Sequence, residues 1–115
     1  MKSKLIRDLL QPTDPDAPEN VQLVPMAESP AYRQLLIAKL HEEVEEIAKD
    51  FQDPAEYADV LEALGCLAIA SGVSWSTILK VKEAKRKEKG SFLRGLLMIV
   101  KPGANLQKTR RHIDV

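Results

Sequence analysis

Two pairs of acidic residues, each with members three positions apart, are the part of this sequence best suited to chemistry. Glu43 and Glu46 form the first pair, and Glu56 and Asp59 form the second. On a helix this spacing leaves two side chains about 60° apart around the axis and about 4.5 Å apart along it, so their carboxylates can converge on one ion. Carboxylate oxygens are hard ligands that suit Mg²⁺ or Mn²⁺ better than Zn²⁺. If the two helices pair antiparallel, all four carboxylates can meet in one divalent metal site.

Each part of this pattern also has an explanation that needs no metal. The acidic run 42–46 is typical of a helix face in solvent. Glu56 stands where a capping box calls for a glutamate, three residues after Asp53. Asp59 by itself could lie in solvent. The metal hypothesis therefore depends on the combination of both pairs on successive helices.

The position of Glu43 on its helix gives a further reason to expect a bound cation. It falls on the same helical stripe as Leu36, Leu40 and Ile47, so we expect it to point partly inward. An inward carboxylate without a paired base needs a cation or a proton. No lysine or arginine of the two acidic helices is placed to serve every acid, and we expect Glu43 to lack a base.

Capping signals place the first of three helices. Ser29 is expected to be its N-cap and Pro30 its first residue, and the helix should end at about Asp50. Its apolar face consists of Leu36, Leu40, Val44, Ile47 and Phe51.

The second and third helices follow closely. Asp53 and Pro54 begin the second, and Gly72 can stop it. Ser74 caps the third, which should end near Gly90. The apolar face of the second helix consists of Val60, Leu61, Leu64, Leu67 and Ala68.

These elements predict an all-α fold with three main helices and irregular ends. Residues 1–30 form an N-terminal segment with a proline-rich arm, anchored by Leu5, Ile6, Leu9 and Leu10. Residues 31–94 form the helical domain, and 95–115 form a C-terminal extension whose basic tail we expect to be mobile. The apolar stretch 92–100 is either a short strand or a helix turn. Three such helices make a thin core, so we expect a helical bundle completed by a second copy, in a homodimer or homotetramer.

Composition sets outer limits on function. The chain has 115 residues, 44% of them hydrophobic, with 17 basic and 17 acidic residues. This zero net charge argues against bulk attraction to nucleic acid or to a membrane surface. The apolar run 95–100 is too short to span a membrane, and the charged start is unlike a signal peptide. The single cysteine excludes an internal disulfide framework, which makes the cytoplasm the default compartment.

The charges are nevertheless sorted along the chain. Nine acids and one base occupy 42–62, whereas eleven bases and two acids occupy 80–111. Dense like charge opposes folding unless a counter-ion or a partner relieves it. The simplest explanation is that the acidic helix packs beside the basic one, and a counter-ion or a partner is the alternative.

The residues around the acids resemble a known family, the MazG-like all-α nucleoside triphosphate pyrophosphohydrolases. The similarity is greatest to the short branch related to phosphoribosyl-ATP pyrophosphohydrolase. Residues 4–8 are similar to the Lys-Leu-Val-Arg-Asp opening of that branch, and 85–92 are similar to its Lys-x-x-x-Arg-Gly-Gly-Phe segment. The acidic motifs that carry the resemblance are Lys39-Leu40-His41-Glu42-Glu43-Val44-Glu45-Glu46 and Glu56-Tyr57-Ala58-Asp59-Val60-Leu61-Glu62.

This resemblance implies Mg²⁺-dependent hydrolysis of a nucleoside triphosphate between its α and β phosphates, which yields a monophosphate and pyrophosphate. By the family motif, Glu43, Glu46, Glu56 and Asp59 would hold the metal, and Mn²⁺ could substitute for Mg²⁺. Glu42 would hold a second metal or orient the attacking water. The role of such an enzyme would be to clear unwanted nucleotides.

The resemblance also gives the basic residues a task. Lys85, and less directly other bases near it, would neutralise the leaving pyrophosphate. Arg7 could reach the phosphates from the N-terminal segment, or pair with Asp8 instead. For any one of these bases, a solvated side chain is an equal alternative. The candidate phosphate-binding residues are Lys85, Lys82, Lys89, Arg94 and Arg7.

The sequence departs from the family pattern at four points. The nine residues between Glu46 and Glu56 are fewer than is usual in the broader group. Lys89 replaces an arginine, which removes a bidentate phosphate donor. Ser91 replaces a glycine, and 101–115 lie outside the resemblance.

Two other functions stay open. The chain could be a non-catalytic helical binding module that keeps this fold, with its acidic helices as an interaction surface. It could also hydrolyse phosphoribosyl-ATP in histidine synthesis, although the opening at 4–8 favours the general nucleotide role. Neither reading requires a membrane.

The remaining reactive or aromatic residues favour structural roles. Cys66 is expected to be a buried structural thiol, because no histidine that could activate it is near in sequence. His41 is expected at the surface, and Tyr32 and Phe51 in the core. Trp75 is expected to pack at a helix start, with stacking on a base as the alternative.

Overall fold

The structure is a computed structural model that describes residues 3–9 and 20–103. Within these ranges it contains three α-helices and no strand: α1 (Tyr32–Lys49), α2 (Pro54–Ala70) and α3 (Trp75–Lys89). The predicted all-α fold with three main helices is therefore confirmed. Leu10, residues 11–19 of the proline-rich arm and the tail beyond residue 103 lie outside the described residues.

The chain divides into two compact units, Met1–Val81 and Lys82–Val115. The first contains α1, α2 and the beginning of α3, and α1 packs against α2. The second contains the rest of α3 and the segment that follows it. No single described helix is long and apolar enough to span a membrane; α2 and α3 meet that criterion of length and composition only when taken together across the bend between them.

The start of α1 differs from the prediction. The Ser29 hydroxyl accepts a hydrogen bond from the backbone N–H of Ala31 (3.1 Å), and the Ser29 carbonyl accepts one from Tyr32 (3.1 Å). A serine followed by proline can stabilise such a turn instead of capping a helix. The prediction of Ser29 as N-cap and Pro30 as first residue was therefore wrong, because the helix begins at Tyr32 after a turn. Its end is as expected, with Asp50 as the extended C-cap residue.

The start of α2 matches the prediction and adds a detail. The Asp53 carboxylate accepts a hydrogen bond from the N–H of Ala55 (2.9 Å), and Pro54 is the first helical residue. The N–H of Asp53 donates to the carbonyl of Asp50 (3.5 Å) and not to Glu56, so the capping box is only half formed. The carboxylate of Glu56 is therefore not used by the cap.

Gly72 ends α2 as predicted. Its φ of 71° lies in the left-handed region, and its N–H donates to Ile69 (3.1 Å) while the N–H of Val73 donates to Ala68 (2.9 Å). These two bonds make the Schellman motif, which satisfies the last carbonyls of the helix. The helix therefore stops where a glycine permits this backbone conformation.

The predicted limits of α3 also agree with the structure. Ser74 precedes the helix, and its hydroxyl hydrogen-bonds the Ser76 hydroxyl at 2.9 Å. Gly90 follows the helix with a φ of 83°, and its N–H donates to the carbonyl of Arg86 (2.8 Å). Every residue of α3 is described, and none is buried.

The stretch 92–100 is neither a strand nor a helix turn, so both alternatives were wrong. The N–H of Gly95 donates to the carbonyl of Phe92 (3.0 Å) and closes a tight turn, and the residues after it have no regular structure. Phe92 is 94% exposed. Its apolar side chain was the main reason to expect packed structure here.

The buried core of the described residues is small. Its apolar members are Leu36 on α1 and Ala63 and Ala68 on α2, and Glu43 is buried beside them. At 100° per residue, Glu43 lies only about 20° from Leu36 around α1, whereas Val44 lies about 80° away. Glu43 therefore points inward as predicted, while Val44 is half exposed.

Other parts of the predicted apolar faces are exposed as well. Phe51 is 69% exposed and Leu61 is 57% exposed, so the expectation of a core position for Phe51 was wrong. Phe51 lies beyond the last turn of α1, where the two helices no longer cover it. Tyr32 is half-buried.

Candidate metal centre

Three carboxylates converge where α1 and α2 meet. One ligand oxygen from each of Glu43, Glu56 and Asp59 lies within 4.8 Å of the other two. Glu43 belongs to the last turns of α1, and the other two belong to the first turns of α2. Only residues 50–53 separate the helices, so the end of one is held beside the start of the next. The structure thus brings together three of the four predicted metal ligands.

The dimensions of this cluster suit a small divalent cation. Oxygens bind Mg²⁺ at 2.0–2.1 Å, so two ligands on opposite sides of the ion are about 4.2 Å apart. The separations of up to 4.8 Å need only a small closing movement of the side chains. Glu43 is buried and anchors the cluster, while Glu56 and Asp59 are half-buried and leave it open to solvent. An ion held here would keep positions for water or substrate.

The fourth predicted ligand, Glu46, is not one of the three. Its carboxylate accepts a hydrogen bond from Lys49 (3.0 Å), and this bond raises the pKa of the lysine. Both side chains are substantially exposed, with relative accessibilities of 40% for Glu46 and 71% for Lys49. A bond this exposed contributes little stability, so it is a weak restraint on Glu46.

Lys39 pairs with Glu43, contrary to the expectation that this acid lacks a base. The Lys39 ammonium lies 3.1 Å from the Glu43 carboxylate and 3.4 Å from that of Glu42. Because Lys39 precedes Glu43 by four positions on one helix, the spacing alone could have revealed the pair. Lys39 is thus a site residue that the sequence reasoning missed.

Glu42, the predicted water-orienting residue, lies between two lysines. Lys4 of the N-terminal segment donates to it at 3.4 Å, as does Lys39 at the same distance. Partial burial acts to raise the pKa of Glu42, but the two ammonium groups outweigh it and lower that pKa. Glu42 is therefore held as a carboxylate at neutral pH.

Arg7 contacts the three-acid cluster itself. Its guanidinium donates to Asp59 at 2.6 Å and lies 3.5 Å from Glu62. The hydrogen bond with Asp59 raises the pKa of Arg7. The suggested alternative pair with Asp8 is not the one formed. Sequence spacing gave no signal for these contacts, because Arg7 and Asp59 are 52 positions apart.

The described charges around the cluster do not balance. Three bases contact these acids, so the acids outnumber the bases around the cluster. Desolvation, followed by repulsion from the neighbouring Asp53 and Asp59, raises the pKa of Glu56. The acids are Glu42, Glu43, Glu56, Asp59 and Glu62, and the bases are Lys4, Arg7 and Lys39.

A cavity of about 210 Å³ borders this site. Ser3, Lys4 and Leu5 of the N-terminal segment form one side of it. The other side is one face of α1, which contributes Leu35, Ala38, Lys39 and Glu42. Pockets for drug-sized ligands are about 300–1,000 Å³, so the cavity as it stands is too small for a whole nucleotide.

The remaining predicted phosphate-binding residues belong to the second unit. Lys82, Lys85 and Lys89 are spaced by three and four positions on α3, so they share one face of the helix. Arg94 lies in the turn closed by Gly95. All four side chains are exposed.

Cys66, His41 and Trp75 were expected to have structural or surface positions. Cys66 is half-buried, and burial together with the neighbouring Glu62 raises the pKa of its thiol. A raised pKa disfavours the reactive thiolate. His41 is exposed as expected, and Trp75 is 38% exposed at the start of α3.

Comparison with known proteins adds no relative. No family model matches the chain, and neither a curated protein nor a solved structure matches it with significance.

Proposed function

We propose that this protein is a Mg²⁺-dependent nucleoside triphosphate pyrophosphohydrolase. The observation that carries the proposal is the convergence of Glu43, Glu56 and Asp59 at the junction of α1 and α2. The excess of negative charge around them supports a cation as the group that completes the site. The sequence motifs supply the reaction class, which the geometry by itself does not specify.

In the proposed reaction, a water oxygen forms a bond to the α-phosphorus of the nucleotide. The bond from that phosphorus to the oxygen bridging the α and β phosphates breaks, and pyrophosphate leaves. Mg²⁺ would neutralise the triphosphate and polarise the attacked phosphoryl group. Glu43, Glu56 and Asp59 would hold the ion, and Glu46 would become a fourth ligand by releasing Lys49.

The other side chains would position the reactants. Glu42 is kept ionised by Lys4 and Lys39, so it can accept a hydrogen bond from the attacking water and receive its proton. By the sequence motif alone, Lys85 and the other bases near it would neutralise the leaving pyrophosphate. In this scheme each charged side chain acts on either the water or a phosphate.

A second copy of the chain is part of the proposal. Only three apolar side chains of the described residues are buried, whereas apolar side chains on and beside both acid-bearing helices are exposed. A homodimer or homotetramer would cover them and complete the helical bundle. Sedimentation equilibrium would give the mass directly. The exposed side chains are Val44, Phe51, Leu61 and Ile69, at 51%, 69%, 57% and 80%.

The test of the activity is pyrophosphate release from a panel of ribo- and deoxyribonucleoside triphosphates with Mg²⁺. Asp59→Asn should reduce the rate by about a hundredfold or more, because it removes one of the charges that hold the ion. Glu45→Gln is the matched control, since Glu45 is an exposed acid of α1 outside the cluster. Its rate should stay near that of the wild type.

The same panel with phosphoribosyl-ATP added separates the alternatives. Release from phosphoribosyl-ATP alone would assign the protein to histidine synthesis. No release from any nucleotide, with folded wild-type protein that binds Mn²⁺, would refute the enzyme and leave a metal-binding helical module. Glu46→Gln decides whether Glu46 joins the site, because a spectator would behave like the Glu45 control.

A further inference from the structure

The N-terminal segment 3–9 supplies cations to the acidic site. Lys4 contacts Glu42, and Arg7 contacts both Asp59 and Glu62. Asp59 is also one of the three residues whose oxygens converge. A guanidinium and a divalent cation would therefore compete for the same carboxylate.

We propose that Arg7 is an exchangeable counter-ion, which holds Asp59 in the metal-free site and moves to a substrate phosphate when a divalent cation binds. This inference rests on the proposed metal site and states how that site is regulated. The segment 3–9 then acts as a strap over the acids. Binding of the cation loosens this strap, and binding of the nucleotide tightens it again.

The Arg7–Asp59 contact is of the kind that exchanges readily. Although the distance is short at 2.6 Å, the side chains keep relative accessibilities of 59% and 37%. Ion pairs this exposed contribute little net stability, because water solvates both partners well. A divalent cation beside Asp59 would repel the guanidinium, so the original contact would no longer be favoured.

Glu62 keeps Arg7 near the site after the exchange. The second terminal nitrogen of the guanidinium lies 3.5 Å from the Glu62 carboxylate, which is not part of the three-acid cluster. Glu62 follows Asp59 by three positions on α2, so Arg7 can leave one acid and stay paired with the other. Its free edge then faces the site, and a planar guanidinium matches the oxygens of a phosphate group.

The adjacent cavity also requires the segment to move. Ser3, Lys4 and Leu5 enclose a space of about 210 Å³ against α1. Pockets that hold drug-sized ligands are larger, at about 300–1,000 Å³. A nucleotide that lies against this face of α1 therefore needs the strap to shift outward, which is the movement that the loss of the Arg7–Asp59 contact permits.

The first test measures Mn²⁺ binding alone, by calorimetric titration of the full chain. Arg7→Gln should bind Mn²⁺ more tightly than the wild type, by up to about fivefold, because a competitor is removed. Lys4→Gln is the matched control, since it removes the same charge from the same segment but from Glu42, outside the cluster. Its effect on affinity should be smaller.

The second test measures turnover and the strap itself. Arg7→Gln should lower kcat/KM for the nucleotide by about tenfold although it binds the metal better, and Arg7→Lys should recover part of this loss. Backbone hydrogen exchange of residues 3–9 should accelerate with Mg²⁺ and slow again with a non-hydrolysable nucleotide. A purely structural role for Arg7 would weaken metal binding and turnover together.

The outcomes separate this inference from the proposed function. If the protein hydrolyses nucleotides but Arg7→Gln changes Mn²⁺ affinity no more than Lys4→Gln does, the exchange is refuted and the enzyme stands. If Mg²⁺ leaves the exchange of residues 3–9 unchanged, the strap movement is refuted. If neither wild type nor variant binds Mn²⁺, both proposals fail.

Discussion

Replacing Lys39 by methionine should destabilise the metal-free protein, because it leaves the buried carboxylate of Glu43 without its base. Methionine keeps most of the aliphatic packing, so the change isolates the charge. Hydrogen bonds to charged groups contribute about 1.5–3 kcal/mol, and breaking a fully buried pair costs about 3–5 kcal/mol. The side chains of Lys39 and Glu43 keep relative accessibilities of 21% and 11%. Solvent screening therefore places the cost at the lower end, at about 2 kcal/mol.

The assay is urea denaturation in the presence of a chelator at fixed protein concentration, followed by far-ultraviolet circular dichroism. With the m-value of about 1–3 kcal/mol/M that small proteins have in urea, a loss of about 2 kcal/mol lowers the urea midpoint by about 1–2 M. Lys49→Met is the matched control, because it breaks the exposed bond to Glu46 and should cost no more than about 0.5 kcal/mol.

A double variant tests the cause. Lys39→Met combined with Glu43→Gln should recover much of the loss, since the uncompensated charge is then gone. Equal costs for Lys39→Met and Lys49→Met would refute the reasoning, because they would show that Glu43 is solvated in spite of its buried position.

Three further predictions concern α2 and the turn that ends it. The raised pKa of Glu56 means that the native state binds its proton more tightly than the unfolded chain does, so the ionised form opposes folding. Glu56→Gln should thus be more stable than the wild type at pH 7 in the presence of a chelator. This gain in the free energy of unfolding should vanish as the pH falls below 4.5, the ordinary pKa of a glutamate. A gain that does not depend on pH, measured by urea titration, would contradict the prediction. Gly72→Ala should lower the free energy of unfolding by about 1 kcal/mol, because a φ of 71° is unfavourable for alanine. An added Cβ would meet nothing within 4 Å, so no steric clash adds to this cost. Gly65→Ala, also without close neighbours but in the middle of α2, should stabilise by up to about 1 kcal/mol, and urea midpoints that shift in the same direction would argue against both assignments.

Local signals in the sequence located most of the secondary structure. The Asp53–Pro54 start and the glycines at 72 and 90 act within one turn of the chain, so their effect does not depend on the rest of the fold. Ser29 shows the limit of such signals, because the same hydroxyl can cap a helix or close a turn. Whether Ser29 caps the helix or closes a turn depends on the path of the chain before α1.

The candidate site was predictable where it depends on helix spacing. Glu43, Glu56 and Asp59 were placed together from their periodicity and the short connection. The partners of the acids on the N-terminal segment were not predictable in this way, because Lys4 is 38 positions from Glu42. The exposure of Val44 was not predictable in this way either. Val44 is exposed because only a narrow face of α1 contacts the small side chains of α2.

The long separation between Arg7 and its acidic partners has a consequence for biosynthesis. Arg7 leaves the ribosome before α1 and α2, but Asp59 is added 52 residues later. At about 5–20 residues per second, the segment waits about 3–10 s for this partner to be made. During that interval its basic residues are available to other anions, whereas the acids of α1 and α2 meet as soon as the short connection between them has folded. The contacts of Arg7 with Asp59 and Glu62 therefore cannot form until this part of α2 has been synthesised.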